Sequence, residues 1–388
     1  MNKKLRLIQQ TFFVILITSI SLYGCFSKPQ QKPEIKPKMK IGLVLAEGTS
    51  EKSKQLIEQF EEEAKKEKVK LLVSDSKKNP SSQRAAIEKM VKEKVKGVIL
   101  QPVDTILVKD YIMMLQADNI KTLIIDALPP DISVDGFIAS DYLRAGELQS
   151  QSLLKAGNPL DLLILKGDKT NNITEKIYQG NLNILRNNTL VNSLTVKEAP
   201  FWNEEIAYQT LSETVLNQQI NSVIVHEETT GIGVYRFLKD NELLGKVKLS
   251  TIDIDKDFLN EILKGNVLVV DTIPHLTSQL AHKALLDLIE NNSWEYDLQI
   301  NNISALIPAK LTPVRIIDKE NIYLLEDRFK EAEKLTEQPS ANNQKESNSS
   351  KNKENQTKLK IKTKDGKEYE VTIPGEVQGV EMEGDKKQ

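Results

Sequence analysis

The chain has 388 residues, 39% of them hydrophobic, with 53 Lys+Arg against 55 Asp+Glu and a formal net charge of -2. That length suggests two or three domains, and the near-neutral balance removes the electrostatic footprint of a nucleic-acid binder. One cysteine and three scattered histidines (His226, His275, His282) exclude an intramolecular disulfide and offer no structural zinc set, so no metal or other cofactor is expected.

Lys3, Lys4 and Arg6 precede the apolar run Thr11 to Leu22. The run is too short for an ordinary transmembrane helix and right for the hydrophobic region of an export signal. It ends in Leu22-Tyr23-Gly24-Cys25, which resembles a bacterial lipobox. The resemblance implies removal of residues 1–24 and a lipid on Cys25, anchoring an extracytoplasmic protein to the cell membrane. Residues 25–38, with three prolines and four lysines after Cys25, read as an extended, solvated tether.

From Met39 the pattern changes. Ile41-Leu45, Leu71-Val73, Gly97-Leu100 and Thr122-Ile125 read as buried strands. Between them, Ser50 opens a helix with Leu56, Ile57, Phe60 and Ala64 on one stripe, and Asn79-Pro80 opens another with Ala86, Ile87, Met90 and Val91. A second set of strands follows at Leu162-Leu165, Leu194-Val196, Val223-Val225, Leu249-Ile252 and Val267-Val270, with helices near Glu175-Arg186, Glu204-Leu216, Gly231-Asn241, Lys256-Leu263 and Leu276-Glu290. Strict alternation predicts an α/β fold of two doubly wound parallel-sheet lobes, with a ligand cleft beyond the carboxyl ends of the strands.

Ordered segments carry a resemblance across about residues 39 to 325. They include Ser74-Asp75-Ser76-Lys77-Lys78-Asn79-Pro80, Gln101-Pro102-Val103-Asp104, Ile124-Ile125-Asp126, Ser140-Asp141, Trp202 with Ala207, Ile252-Asp253, Thr272-Ile273-Pro274 and Leu311-Thr312-Pro313-Val314. Together they resemble the ribose- and galactose-type periplasmic sugar-binding proteins. The resemblance implies a type I periplasmic-binding-protein fold, two lobes joined by three hinge crossings that close on a small polar ligand. The crossings are expected near Asp141-Arg144, Asp253-Asp255 and Ile307-Thr312. That divides the body into a first lobe at 39–141 with a return segment at about 307–335, and a second at 142–252 and 253–306.

Carried over position by position, the resemblance implies a ligand site of Ser50, Lys52, Asp126, Glu175, Trp202, Glu227, Asp253 and Thr272. Trp202 would stack on the ligand's apolar face, and Asp126 and Asp253 would accept hydrogen bonds from its hydroxyls. The loop Ser50-Glu51-Lys52-Ser53 lacks the aromatics that such sugar binders commonly place there. Asp126, Glu175, Glu227 and Asp253 in one cleft would repel one another unless a cation, an amine or Lys52 intervened. The expected ligand is therefore sugar-like, a polyol or amine-bearing.

No G-x-S-x-G, G-x-x-x-x-G-K-S/T or H-E-x-x-H motif is present, and the chain does not read as an enzyme. Leu324 to Leu335 reads as a helix, 336–357 as a disordered linker, and 358–388 as a tail built on a β-hairpin. A three-residue loop at Lys364-Asp365-Gly366 would pair Ile361 with Tyr369, Leu359 with Val371, Lys362 with Glu368 and Lys360 with Glu370. The function implied is a solute-binding lipoprotein serving the permease of an ABC importer. A ligand sensor or scaffold acting on a membrane receptor or kinase is the alternative.

Overall fold

The structure, a computed structural model, describes residues 39–167, 171–325, 328–329, 356–362 and 368–374. The export signal, Cys25, the tether and residues 336–355 of the linker lie outside them.

Chain order in the body begins β1 (Lys40–Leu45), α1 (Glu51–Lys66), β2 (Lys70–Asp75), α2 (Pro80–Lys92), β3 (Gly97–Leu100), α3 (Val108–Ala117), β4 (Lys121–Ile125) and β5 (Gly136–Ser140). There follow α4 (Tyr142–Leu154), β6 (Leu160–Lys166), α5 (Asn172–Leu185), β7 (Val191–Glu198), α6 (Glu204–Asn217), β8 (Ser222–Val225), α7 (Glu228–Asp240), β9 (Lys248–Ile252), α8 (Leu259–Leu263) and β10 (Val267–Asp271). The last elements of the body are α9 (Pro274–Ile289), β11 (Leu298–Asn301), β12 (Leu306–Thr312) and β13 (Arg315–Ile317). Two sheets result, in the orders β11-β12-β5-β4-β3-β1-β2 and β13-β10-β9-β8-β6-β7. Both are parallel except for β11 and β13, which run antiparallel at one edge of each.

Several central strands, β3, β5 and β8 among them, are buried along their whole length, because helices cover both faces. That is why they read as continuous apolar runs. Phe60, Phe137 and Phe258 are fully buried, each contributing about 1.5–3 kcal/mol of hydrophobic stabilisation. Helix starts follow the capping chemistry in the sequence. Ser50, Asn79, Asp141, Asn171 and Asn203 each accept a backbone N–H of the first turn. In the second lobe α4 and α5 approach to backbone contact. A Cβ on Gly146 would stand 2.0 Å from the Ile177 carbonyl oxygen, and one on Gly180 2.1 Å from that of Leu143.

Among the described residues the chain passes between the sheets three times. The first passage follows Ser140, where β5 gives way to α4, which packs on β9, β10 and β13. The second does not lie at Asp253-Asp255. β9 and β10 are neighbours in one sheet, and the chain leaves it only at Thr272–Pro274, since α9 packs on α1, β3, β4 and β5. The third lies between β12 and β13, at Pro313-Val314, just after the expected Ile307-Thr312. Residues 273–306 therefore join the first lobe rather than the second, and 315–325 join the second rather than the first. The misplacement arises because Asp253 ends a strand beside the hinge without leaving its sheet.

Hydroxyl groups lace the crossings together. Ser140 Oγ donates to the Thr272 carbonyl at 3.4 Å, Thr312 Oγ1 donates to Ser140 Oγ at 3.3 Å, and Asp141 N donates to the Thr312 carbonyl at 3.0 Å. At the second crossing Ile273 has φ 53°, costly for a β-branched residue. Its N–H is held by Asp271 Oδ1 at 3.1 Å, and Pro274 starts α9.

The described part of the helix expected at Leu324–Leu335 is a 3-10 turn at Ile322–Leu325. Farther on, β14 (Gln356–Lys362) and β15 (Glu368–Pro374) form an antiparallel hairpin in a unit of its own. Its register pairs Ile361 with Tyr369, Leu359 with Val371, Lys362 with Glu368 and Lys360 with Glu370. The strand begins inside the range expected for the linker, and the loop residues 363–367 lie outside the described residues.

Candidate ligand-binding cleft

A cavity of about 330 Å³ opens between the lobes at the carboxyl ends of the strands, with Ser50, Lys52, Asp126, Trp202, Glu227 and Asp253 among its lining residues. Its size falls in the range of small-molecule sites. Apolar surface comes from Pro80, Pro102, Val103 and Ala127 of the first lobe and from Ile173 and Ile252 of the second.

Lys52 lines the cavity from the first turn of α1. The ammonium lies 3.4 Å from Asp126 Oδ2, 3.5 Å from Asp253 Oδ2 and 3.0 Å from the Tyr142 hydroxyl, to which it donates. Tyr142 in turn donates to Asp126 Oδ1 at 2.7 Å, and Gln101 Nε2 donates to Asp126 Oδ2 at 2.7 Å. Asp253 Oδ1 accepts from the Thr272 N–H at 3.1 Å and from its hydroxyl at 2.5 Å. Burial opposes charge on Lys52, but Asp126, Tyr142 and Asp253 outweigh it and hold the ammonium well above the usual lysine range. Burial raises the Asp253 carboxyl, with Lys52 and Thr272 pulling against it. Burial and Asp126 push the Tyr142 phenol well up, so it serves as a proton donor.

A second contact between the lobes forms where two helix N-termini meet. Glu228, at the start of α7, accepts from the backbone N–H of Glu51 at 3.1 Å and of Lys52 at 3.4 Å. A carboxylate suits the positive end of α1. Burial nevertheless raises Glu228 to about 8, with the Glu51 N–H opposing and Asp253 and Glu227 adding to the rise.

Trp202 closes a short 3-10 turn after β7 at φ 48°, and its ring lies on Gly167, where a Cβ would stand 2.0 Å from it. Glycine at 167 is what lets the indole reach the cleft.

Two expected residues do not line the cavity. Glu175 is exposed in the first turn of α5 and pairs with Lys166 at 3.1 Å. Thr272 is buried at the crossing and acts on the cleft through Asp253. Glu227 does line it, but its carboxylate caps α7, accepting from Thr230 N at 3.1 Å and Thr229 Oγ1 at 2.7 Å. Of the four carboxylates expected to converge with Lys52 as a counter-charge, only two do so. Asp126 and Asp253 share Lys52, Glu227 is a cap, and Glu175 points elsewhere.

Residues 41–293 match the model of the periplasmic binding protein domain. The chain belongs to that family. Among curated periplasmic binding proteins it is similar to the D-xylose-binding periplasmic protein of Haemophilus influenzae, 24% identical over 308 residues, covering 76% of this chain and 92% of that one. The ribose import binding protein of Bacillus subtilis is 24% identical over 289 residues, 71% of this chain and 92% of that one. Among solved structures, an ABC transporter solute binding protein from Clostridium phytofermentans with bound β-D-glucose aligns with a TM-score of 0.67 at 15% identity, covering 74% of this chain and 97% of that one. One from Bacillus halodurans with bound myo-inositol aligns at 0.65 and 17% identity, covering 76% and 99%.

The cleft of this periplasmic binding protein also contains residues that the sequence did not mark. Tyr142 supplies an aromatic side chain from the first crossing, Gln101 orients Asp126, Glu228 joins the helix ends, and His226 forms part of the wall. Gln101 stands inside the segment Gln101-Pro102-Val103-Asp104, and Tyr142 follows Ser140-Asp141, so both were adjacent to readable signals. Glu228 and His226 depend on contacts across lobes or helices that no local pattern records.

Proposed function

We propose that this protein is an extracytoplasmic solute receptor that binds an uncharged, polyhydroxylated ligand of the monosaccharide class and delivers it to the permease of an ABC importer. The observation that carries the reading is the Lys52–Asp126–Asp253 cluster. A tethered ammonium already serves the two strand-end carboxylates, which removes the demand for a cationic ligand and leaves a polar floor suited to hydroxyls. Trp202 and the proline-lined first-lobe wall suit the C–H faces of a sugar ring. The sugars bound by the relatives support the same class. The export signal and a lipid on Cys25 would hold the receptor at the outer face of the membrane, as the sequence around Cys25 implies.

Lobe closure follows from differential affinity. A ligand touching both walls binds the closed form more tightly and shifts the population toward it. The test is thermal melting of the full chain against D-xylose, D-ribose, D-allose, D-glucose and myo-inositol, with polyamines and amino acids as controls. A sugar at ~100 times its dissociation constant should stabilise by about 2.7 kcal/mol. Stabilisation by amines and not by any sugar would refute the proposed ligand class. Retention of a Cys25→Ala protein in the membrane after export would refute the anchor.

A further inference from the structure

Arg328 lies past β13, and its side chain is only 9% exposed. Phe329 beside it is buried in the core of the second lobe, as is Leu325. The guanidinium is anchored on Asp271, the fully buried last residue of β10. Arg328 Nη1 lies 2.8 Å from Asp271 Oδ1, and Arg315 Nε of β13 takes Oδ2 at 2.8 Å. Removing one partner of such a buried pair is strongly destabilising, so the anchor is firm. The same Oδ1 accepts the Ile273 N–H at the second crossing. One carboxylate therefore fixes both Arg328 and the backbone at which the chain changes lobes.

Arg328 also reaches out of its own lobe. Its Nη1 donates to Gln55 Oε1 at 2.9 Å, and Gln55 stands on α1 of the first lobe. That nitrogen carries two hydrogens, one for each acceptor. Neither Gln55 nor Arg328 lines the cavity. The bond thus spans the lobes from outside the ligand site, beside a crossing, and comes from a segment that is not itself a crossing. Neutralising Asp271 requires no contact with Gln55, so the reach to α1 is separable from the ion pair. A hydrogen bond tolerates little stretching beyond its ordinary length, and a motion that carries α1 away from the end of β10 breaks this one.

We propose that Arg328 is an interlobe clamp: anchored on Asp271 of the second lobe, it holds Gln55 of the first and so favours the closed arrangement from outside the ligand site. The closed fraction sets apparent affinity, because a ligand that needs the closed form binds more weakly in proportion to how rarely that form is populated. Arg328 is then a positioning residue that tunes capture without touching the ligand. The effect on affinity rests on the proposed receptor function, whereas the effect on lobe separation does not.

The experiment varies Gln55 in the full chain, which leaves the ion pairs of Asp271 intact. Gln55→Met keeps the length of the side chain and removes the acceptor. It should enlarge the free protein by small-angle scattering and weaken the tightest-binding sugar of the panel above by about threefold to tenfold. Gln55→Glu supplies a charged acceptor, a stronger partner for a guanidinium, and should make the free protein more compact and the sugar bind more tightly. Adding Arg328→Met to the Gln55→Glu chain should restore the profile of Gln55→Met. Should that double variant fail to fold, the two Gln55 variants still decide. Profiles of both Gln55 variants identical to that of the natural protein would overturn the clamp, and so would a change in affinity with no change in scattering. Altered profiles with no binding by any sugar would leave the clamp standing and overturn the receptor function.

Discussion

Asp126 and Asp253 occupy corresponding places in the two lobes. Each follows the last residue of a parallel strand, each takes a left-handed backbone conformation (φ 66° and 61°), and each faces the same ammonium at 3.4 and 3.5 Å. Aspartate tolerates that conformation better than most residues. Their other partners differ. Asp126 is held by Gln101 and by Tyr142 at the first crossing, whereas Asp253 is held by Thr272 in the second crossing. Each carboxylate couples the site to a different crossing.

The widest break in this symmetry is Lys52→Met, which strips both carboxylates of their shared cation. Breaking a buried pair costs about 3–5 kcal/mol. The expected result is a more open body by small-angle scattering, a lower melting temperature and no sugar binding. A compact, binding-competent variant would show that the cluster does not hold the lobes.

Single substitutions should then separate the two aspartates. Asp126→Asn keeps an amide oxygen to accept from Tyr142, so it should weaken sugar binding, by about 1–3 kcal/mol, without altering the scattering profile of the free protein. Asp253→Asn should change both, since Lys52–Asp253 joins the lobes and Asp253 also holds Thr272. Identical profiles would remove the hinge role assigned to Asp253. Gly167→Ala acts on one wall only. Its methyl would displace the Trp202 ring, lowering sugar affinity about tenfold, ~1.4 kcal/mol, with a shift in tryptophan fluorescence that a Trp294→Phe background isolates.

A separate effect is on pH dependence. Glu228 is raised from 4.5 to about 8 in the folded protein, so the folded state binds its proton more tightly than the unfolded chain. The stability this contributes is complete below pH 4.5 and is lost as pH rises through about 8. Urea midpoints should fall across that window, and Glu228→Gln should flatten the decline. An unchanged slope in the variant would exonerate Glu228.

The sequence was most transparent where a physical period ran undisturbed. Val223-Val225 and Gly97-Leu100 announced themselves as strands because helices cover both of their faces, and the hairpin register followed from alternation at period two around Asp365-Gly366. β11 and β13 were hidden because they are short edge strands of four and three residues, too short to show a period. Asp126, Asp253 and Trp202 stood at strand ends or corners, where a resemblance transfers well. Glu175 misled because a first-turn glutamate looks alike whether it faces a ligand or Lys166, and the Asn181–His226 pair joins residues 45 apart in the chain, which no local pattern records.

The two glycines that bring α4 and α5 into backbone contact have a mechanical consequence. With Gly146 against Ile177 and Gly180 against Leu143, the two helices interlock like meshed teeth and have little freedom to slide. α4 starts at the first crossing, and α5 ends its N-terminal side at Asn171 on the cavity rim. A side chain at either glycine would force α4 and α5 apart and shift Asn171 relative to the first crossing, so the spacing between pivot and cavity rim is set by two missing methyl groups.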